Sequence, residues 1–158
     1  MAKPVPQGGL VIRYDYLWSS EEREGREEGS KDRPCAIVLT IPPTKSGRQR
    51  VVLCGITRTP PSASEEGVVI PPKVKRHLGL DDTRQSWAIV SEANLIGWED
   101  PGVVPTETGQ WSYGFLASIL AGNLARRLLA HYHAGQLPLA NRPKIEIERM
   151  QRDQSQNP

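Results

Sequence analysis

The chain has few residues that could build a metal site or a disulfide framework. Of its 158 residues, two are cysteine and three are histidine. Cys35 and Cys54 both lie within apolar runs, where a free cysteine packs as a small hydrophobic side chain. Their spacing is not that of zinc ligands. We therefore expect reduced thiols in a cytoplasmic protein, with no metal and no cofactor.

Long apolar runs are also missing. No run approaches the ~18 residues that a membrane-spanning helix needs, and the first residues, MAKPVPQGG, lack the apolar core of a signal peptide. The chain has no P-loop, no Rossmann glycine pattern, no Gly-x-Ser-x-Gly and no HExxH. We expect a soluble protein with no membrane partner. The net charge of +2 tolerates a nucleic-acid partner but does not by itself indicate one.

The sequence pattern in the first two thirds of the chain is typical of short β-strands. Residues 10–18 alternate with a period of two, which predicts a strand with one apolar face. Residues 35–41 form a continuous apolar run, which predicts a strand buried on both faces, and residues 50–57 follow as its antiparallel partner after a turn. Shorter strands are predicted at residues 68–70, 86–90 and 94–98, with one helical turn ending at Gly79.

The C-terminal part of the sequence has the pattern of a helix instead of strands. Apolar residues between positions 111 and 136 share one helical face, with Ser112 as a candidate N-cap and Gly135 as a candidate C-cap. Five to six short strands and one C-terminal amphipathic helix predict a mainly β (α+β) fold, a small β-barrel capped by the helix. Residues 1–8 and the polar tail 138–158 are expected to be flexible, which leaves 9–137 as one domain.

Two strand ends carry the most informative side chains. Arg33 and Pro34 open the 35–41 strand, and Thr57 with Arg58 ends the return strand. Antiparallel pairing puts the start of one strand beside the end of the other, so a charged donor fork and a hydroxyl could share one rim. Such a pair suits a phosphate or another oxyanion. The alternative is that Thr57 is an ordinary strand residue and that Arg33 pairs with a nearby acid, namely Asp15, Asp32 or Glu28.

The ordered stretches LVIRYDY, KDRPCAIVL and RVVLCGITRT resemble the PemK/MazF family of type II toxin–antitoxin endoribonucleases over about residues 9–135. Asp15 matches the family's aspartate before an aromatic residue, Arg33 its arginine before proline, and Thr57 its strand-end threonine. The resemblance implies an SH3-like barrel, a homodimer, and an enzyme that cuts single-stranded RNA without a metal. It also implies a cognate antitoxin and two catalytic residues: Arg33, with a phosphate-contacting and acid/base role, and Thr57, with a phosphate-binding role.

Three departures from the family pattern bear on these roles. Leu10 stands where the family has an aspartate after the opening glycine. The polar loop of residues 19–33 is long and acidic, so it could repel RNA or fold over the site. A late acidic residue of the family is replaced by the pair Ser91-Glu92. Further acid/base or RNA-contacting candidates are Glu92, Arg58 and Asp15, and candidate contacts to the RNA backbone are Lys73, Lys75 and Arg76.

Two other interpretations of the sequence remain open. One is a non-catalytic relative that keeps the barrel and binds RNA or a protein partner. The other is a gyrase-poisoning toxin, a class that shares the barrel, although no feature of this chain points to it.

Overall fold

The computed structural model describes residues 2–43, 45 and 47–142. Within them the chain forms eight strands and three helices. In chain order these are β1 (Leu10–Tyr14), α1 (Ser19–Arg23), β2 (Arg33–Ile41), β3 (Arg50–Thr57), β4 (Gly67–Val69), α2 (Pro72–His77), β5 (Trp87–Ile89), β6 (Ala93–Gly97), β7 (Gly114–Phe115), α3 (Ser118–His133) and β8 (Leu139–Asn141).

The strands form one sheet in which β3 has three neighbours. The main path runs β4-β5-β3-β2-β1-β7 with antiparallel pairs throughout. The first half of β3 pairs with β6 and its last two residues pair with β5. β8 extends the sheet as a parallel neighbour of β6. The fold is therefore mainly β, as the sequence predicts.

Residues 35–38 of β2 and 51–56 of β3 are buried on both faces, which confirms the predicted two-sided burial for the first part of residues 35–41. Towards the end of β2, Leu39 and Ile41 are half-buried and Thr40 is exposed. Cys54 belongs to one apolar cluster together with Leu124 and Leu128 of α3. Cys35 points to the opposite face and belongs to a second cluster that contains Trp98. Both cysteines are free, and burial raises the pKa of each thiol. These thiols serve as packing groups rather than nucleophiles.

The C-terminal helix is shorter than the sequence predicts, and the prediction of its N-terminus is wrong. Gly114 has a φ of 114°, which a helix cannot accommodate, and residues 114–115 pair with β1 instead. The helix begins at Ser118 after Ala117, so Ser112 does not cap it. Its end is close to the predicted one, since Gly135 adopts a φ of 69° just after the last turn. No helix in the described part of the chain is long and apolar enough to cross a bilayer.

The first strand is also shorter than predicted, and the loop after it contains a helix. β1 ends at Tyr14, where the N–H of Tyr16 donates to the Tyr14 carbonyl at 2.9 Å and turns the chain. The loop expected at residues 19–33 begins with α1. Its remaining residues lead to Arg33, the first residue of β2.

Both ends of the described chain make contacts with the sheet. The carbonyl of Pro4 accepts a hydrogen bond from the indole N–H of Trp98 at 2.9 Å, and the Lys3 ammonium donates to the Trp98 carbonyl. At the other end β8 continues the sheet past residue 137, and Arg142 is buried. Residues 143–158, the rest of the expected polar tail, lie outside the described residues, and the domain boundaries stay a prediction.

We predict that Leu124→Ala lowers the free energy of unfolding by about 2–5 kcal/mol, because it opens a cavity between α3 and the sheet. Ile119→Ala on the same helix is the control: Ile119 is 88% exposed, so its removal should change stability by less than about 0.5 kcal/mol. Urea unfolding followed by circular dichroism measures both. Equal effects of the two variants would contradict the packing described for α3.

Candidate functional site

A cleft of about 950 Å³ lies beyond the paired ends of β2 and β3. Its walls include residues 31–34 at the start of β2, residues 56–60 at the end of β3, residues 78–81 after α2, and several residues between 84 and 89 and between 106 and 113, together with Trp18 and Glu65. Strand ends and the loops beside them can present polar side chains without disturbing the core. Three of the side chains singled out by the sequence, Arg33, Thr57 and Arg58, line this cleft.

Arg33 and Thr57 both line the cleft, as the pairing of the two strands predicts. The register matches Cys35 with Gly55, and two further residues along each strand lead to Arg33 and Thr57. Both side chains therefore lie on the face of the sheet to which Cys35 points. The register shifts by one residue between Ile37 and Leu39. This irregularity accommodates the one residue by which β2 is longer than β3.

The guanidinium of Arg33 stacks on an aromatic ring instead of pairing with an acid. Its central carbon lies 5.0 Å from the ring centre of Trp18. None of the ion pairs among the described residues involves Arg33, and its buried Nε has no hydrogen-bond partner there. The ion pairs among the described residues therefore join Arg33 to neither Asp15 nor Asp32.

The hydroxyl group of Thr57 can donate a hydrogen bond to a ligand in the cleft. Its Oγ1 accepts a hydrogen bond from the backbone N–H of Thr59 at 3.0 Å, so the hydroxyl hydrogen remains free to donate. Its neighbour Arg58 also lines the cleft, but it pairs with Asp81 at 3.2 Å. Hydrogen bonds from the hydroxyl and the backbone of Thr83 hold the pKa of Asp81 below its usual value. Asp81 thus partly neutralises the charge of Arg58, whereas Arg33 has no ion pair among the described residues.

Glu92 lies outside the lining of the cleft. It is 6% exposed, and its two carboxylate oxygens accept hydrogen bonds from the backbone N–H and the hydroxyl of Ser19 at 3.1 and 2.7 Å. Burial raises the pKa of Glu92, and the hydrogen bonds from Ser19 oppose that shift. The carboxylate therefore holds the first residue of α1, and the structure does not bring this candidate base to Arg33 and Thr57.

Asp15 also lies outside the cleft lining, in a polar group with Arg142 and Asn94. Its carboxylate accepts from the guanidinium of Arg142 at 3.2 Å, and the same guanidinium donates to the Asp15 carbonyl and to Asn94. Burial raises the pKa of Asp15, while the charge of Arg142 opposes the shift. Asp15 joins the end of β1 to residues near the end of the described chain.

The three basic candidates on α2 do not form a phosphate-binding cluster. Lys75 is 1% exposed, and its ammonium donates to the Arg84 carbonyl and to the hydroxyl of Ser86. It is an internal residue, which corrects the prediction that it contacts an RNA backbone. Arg76 is exposed but pairs with Asp82 at 3.1 Å, and Lys73 is exposed on the surface. None of the three lines the cleft.

Two cations of the cleft, Lys31 and Arg84, are not among the candidate site residues that the sequence offers. Trp18 also lines the cleft, and neither of these two cations takes part in an ion pair among the described residues. Lys31 could have been found from its place two residues before Arg33. Arg84 reaches the cleft only through the packing of the segment after α2, for which the sequence gives no signal. The long acidic loop contributes only its last residues to the lining.

The cleft is lined by four cations (Lys31, Arg33, Arg58 and Arg84), by four acids (Asp32, Glu65, Asp81 and Glu107) and by hydroxyl groups. In the described part of the chain no three histidine, cysteine, aspartate or glutamate side chains are grouped so that they could hold a metal ion. Hydroxyls of Thr57, Thr59, Thr106, Thr108 and Ser112 contribute to the walls. Within this mixed lining, Arg33 and the hydroxyl groups are the donors suited to the oxygens of a phosphate ester.

Comparison of the chain with protein-family models, with curated proteins and with solved structures finds no match.

We predict that Lys75→Met lowers the free energy of unfolding by about 1–3 kcal/mol, because it leaves the Arg84 carbonyl without its internal donor. Lys73→Met, two residues away on the exposed side of α2, should change stability by less than about 0.5 kcal/mol. Thermal and urea unfolding measure both variants. A Lys75→Met protein as stable as the Lys73→Met control would show that Lys75 is not the internal residue described.

Proposed function

We propose that this chain is a PemK/MazF-like endoribonuclease that cuts single-stranded RNA without a metal, and that it acts as the growth-inhibiting toxin of a type II toxin–antitoxin pair. The proposal assigns the reaction to the cleft beyond β2 and β3. Arg33 and Thr57 are its catalytic residues.

The proposal depends mainly on the surroundings of the Arg33 side chain. A guanidinium has five N–H donors, and an arginine at a protein surface usually satisfies several of them with acids or carbonyls. Arg33 instead lies against Trp18, has a buried Nε without a partner, and lines a cleft together with a hydroxyl donor. A group of this kind is complementary to an oxyanion that arrives from solution.

The chemistry follows from that complementarity. The 2′-hydroxyl of a ribose attacks the adjacent phosphorus and loses its proton, the bond from phosphorus to the 5′-oxygen breaks, and that oxygen takes up a proton. The products are a 2′,3′-cyclic phosphate and a free 5′-hydroxyl. Negative charge develops on the non-bridging oxygens, where the Arg33 guanidinium and the Thr57 hydroxyl stabilise it. A DNA strand, which lacks the 2′-hydroxyl, binds but is not cut.

The other cations of the cleft provide the contacts to neighbouring phosphates. Lys31 and Arg84 line the cleft and are not engaged in ion pairs with described residues. They replace Lys73, Lys75 and Arg76 as the residues that hold the RNA backbone. A cleft that contacts consecutive phosphates favours an extended single strand over a folded duplex.

The proposal includes an SH3-like barrel, a homodimer, a cytoplasmic location and an antitoxin that occupies the RNA cleft. The barrel is supported by β3, which pairs with β6 along its first half and with β5 at its end, so one strand takes part in two parts of the sheet. The second candidate function is a non-catalytic protein of the same fold that binds RNA or a protein partner. It is favoured by the burial of Glu92 away from the cleft, because no proton acceptor is then assigned there.

We predict that Arg33→Ala lowers kcat for RNA cleavage by at least about 10²-fold, because the transition state loses its charged donor. Thr57→Ala, which removes a neutral donor, should lower it by about 10-fold or more. Cleavage of a labelled single-stranded RNA in the presence of EDTA measures both, and mass spectrometry of the products checks for the cyclic phosphate.

Arg76→Ala is the matched control for these variants, since it removes an exposed arginine that does not line the cleft. It should cut at the wild-type rate, and all three variants should keep the wild-type melting temperature within a few degrees. Full activity of folded Arg33→Ala would contradict the catalytic assignment. A wild-type protein that binds RNA, does not cut it and does not arrest growth when induced would select the non-catalytic alternative.

We predict that the double variant Lys31→Ala/Arg84→Ala weakens binding of single-stranded DNA, the uncut analogue, and reduces the salt dependence of that binding. For a single strand, each phosphate that the protein no longer neutralises reduces the slope of log K against log salt by about 0.7, so two reduce it by about 1.4. Fluorescence anisotropy at several salt concentrations gives the slope. Lys73→Ala/Arg76→Ala, with the same change of net charge, should leave it unchanged; equal slopes for the two pairs would place the nucleic acid elsewhere.

A further inference from the structure

The indole of Trp18 is held in a narrow space above β3. Its ring lies 4.7 Å from that of Tyr16 in an edge-to-face arrangement, and Arg33 stacks on it from the cleft side. Beneath it is Gly55, where a Cβ atom would come within 2.8 Å of Cη2 of Trp18. Only a residue without a side chain therefore allows the indole to lie where the Arg33 guanidinium can reach it.

The backbone that carries Trp18 is fixed by two glutamates. The N–H of Trp18 donates to the Glu21 carboxylate at 3.1 Å, as in a capping box. The next N–H, of Ser19, donates to Glu92 at 3.1 Å, and the Ser19 hydroxyl donates to the other oxygen of the same carboxylate at 2.7 Å. Glu92 is thereby joined to Arg33 through Ser19 and Trp18.

We propose that Glu92 is a positioning residue for the reaction: together with the space above Gly55, it fixes Trp18, and Trp18 holds the Arg33 guanidinium in the orientation that meets the scissile phosphate. This inference depends on the proposed catalytic role of Arg33. It gives Glu92 a part in catalysis without placing it in the cleft, and it explains why the long Arg33 side chain, whose Nε has no hydrogen-bond partner among the described residues, still has a defined place.

The physical reason for such a support lies in the arginine side chain. Four rotatable bonds allow it many rotamers, and fixing them costs conformational entropy. A carboxylate partner would fix the guanidinium but would also neutralise it and compete with a phosphate. The flat indole fixes it and leaves its charge and N–H groups available.

We predict that Gly55→Ala lowers kcat by about 10²-fold, the size of effect expected when a catalytic group is displaced by about 1 Å. KM should change by less than about threefold, because Lys31 and Arg84 still bind the strand. Gly97→Ala is the control, since Gly97 also lies in a strand but a Cβ atom there would meet open space. It should retain the wild-type kcat.

Two further substitutions separate positioning from folding. Trp18→Ala should lower kcat as Gly55→Ala does, whereas Trp18→Phe, which keeps an aromatic face, should restore activity to within about 10-fold of wild type. Glu92→Gln keeps the shape and one acceptor oxygen but replaces the other, so its kcat should fall by about 10-fold with KM unchanged.

A spectroscopic readout tests the arrangement without any cleavage. The ring current of Trp18 should displace the Arg33 Nε–H resonance, which is assigned by its disappearance in Arg33→Lys. The resonance should move toward that of exposed arginines in Gly55→Ala and Trp18→Ala but stay in place in Gly97→Ala. An unchanged resonance in Gly55→Ala, or an undisplaced one in the wild type, overturns the inference, whatever the activity is.

The two proposals fail in different ways. If Arg33→Ala abolishes cleavage while folded Gly55→Ala and Trp18→Ala cut at the wild-type rate, the positioning role is wrong and the proposed function stands. If the wild type does not cut RNA, or folded Arg33→Ala cuts it normally, the proposed function is wrong and the positioning role for the reaction falls with it.

Discussion

The antiparallel pairing of β2 with β3 is the constraint on which the rest of the site depends. Its register sets Cys35 against Gly55 and so brings the two strand ends to one rim. The middle residues of both strands alternate between the two apolar clusters, and a shift of one residue would turn each of them to the opposite cluster, so the register is strongly fixed. The same pairing puts Gly55 under Trp18 and Arg33 beside Trp18. A packing requirement of the core thus fixes the geometry of a surface cleft.

The parts of the fold that the sequence predicted are those determined by local pattern. The apolar run of residues 35–41 and its return strand are recognisable without tertiary information, because burial on both faces needs an uninterrupted apolar stretch. The start of α3 was missed for a different reason. Gly114 and Phe115 pair with β1, and a two-residue strand at the edge of a sheet has no periodicity to detect. The β8 strand was missed in the same way, since its pairing with β6 is wholly non-local.

The residues of the site can be separated in the same way, into those that local sequence pattern predicts and those whose role depends on tertiary packing. The sequence predicted that Arg33 and Thr57 lie at one rim, because the pairing of two adjacent strands follows a simple geometric rule. It could not predict which group each charged side chain contacts. Lys75 has the sequence context of an exposed lysine on a short helix, and only the packing of the segment after α2 turns it inward to the Arg84 carbonyl. Glu92 is a candidate base by sequence, and only the position of α1 shows that Ser19 occupies both its oxygens. In each case a partner more than five residues away in sequence decided the role.

The central claim is that Arg33 and Thr57 form a phosphate site. The most direct test is a crystal structure of the protein with a single-stranded RNA oligonucleotide whose 2′-hydroxyls are replaced by fluorine, so that no attack can occur. The account predicts one phosphate with its non-bridging oxygens within hydrogen-bond distance of the Arg33 guanidinium and the Thr57 hydroxyl, and with Arg33 still stacked on Trp18. An oligonucleotide bound along α2, or a cleft in which Arg33 faces no phosphate, would contradict it.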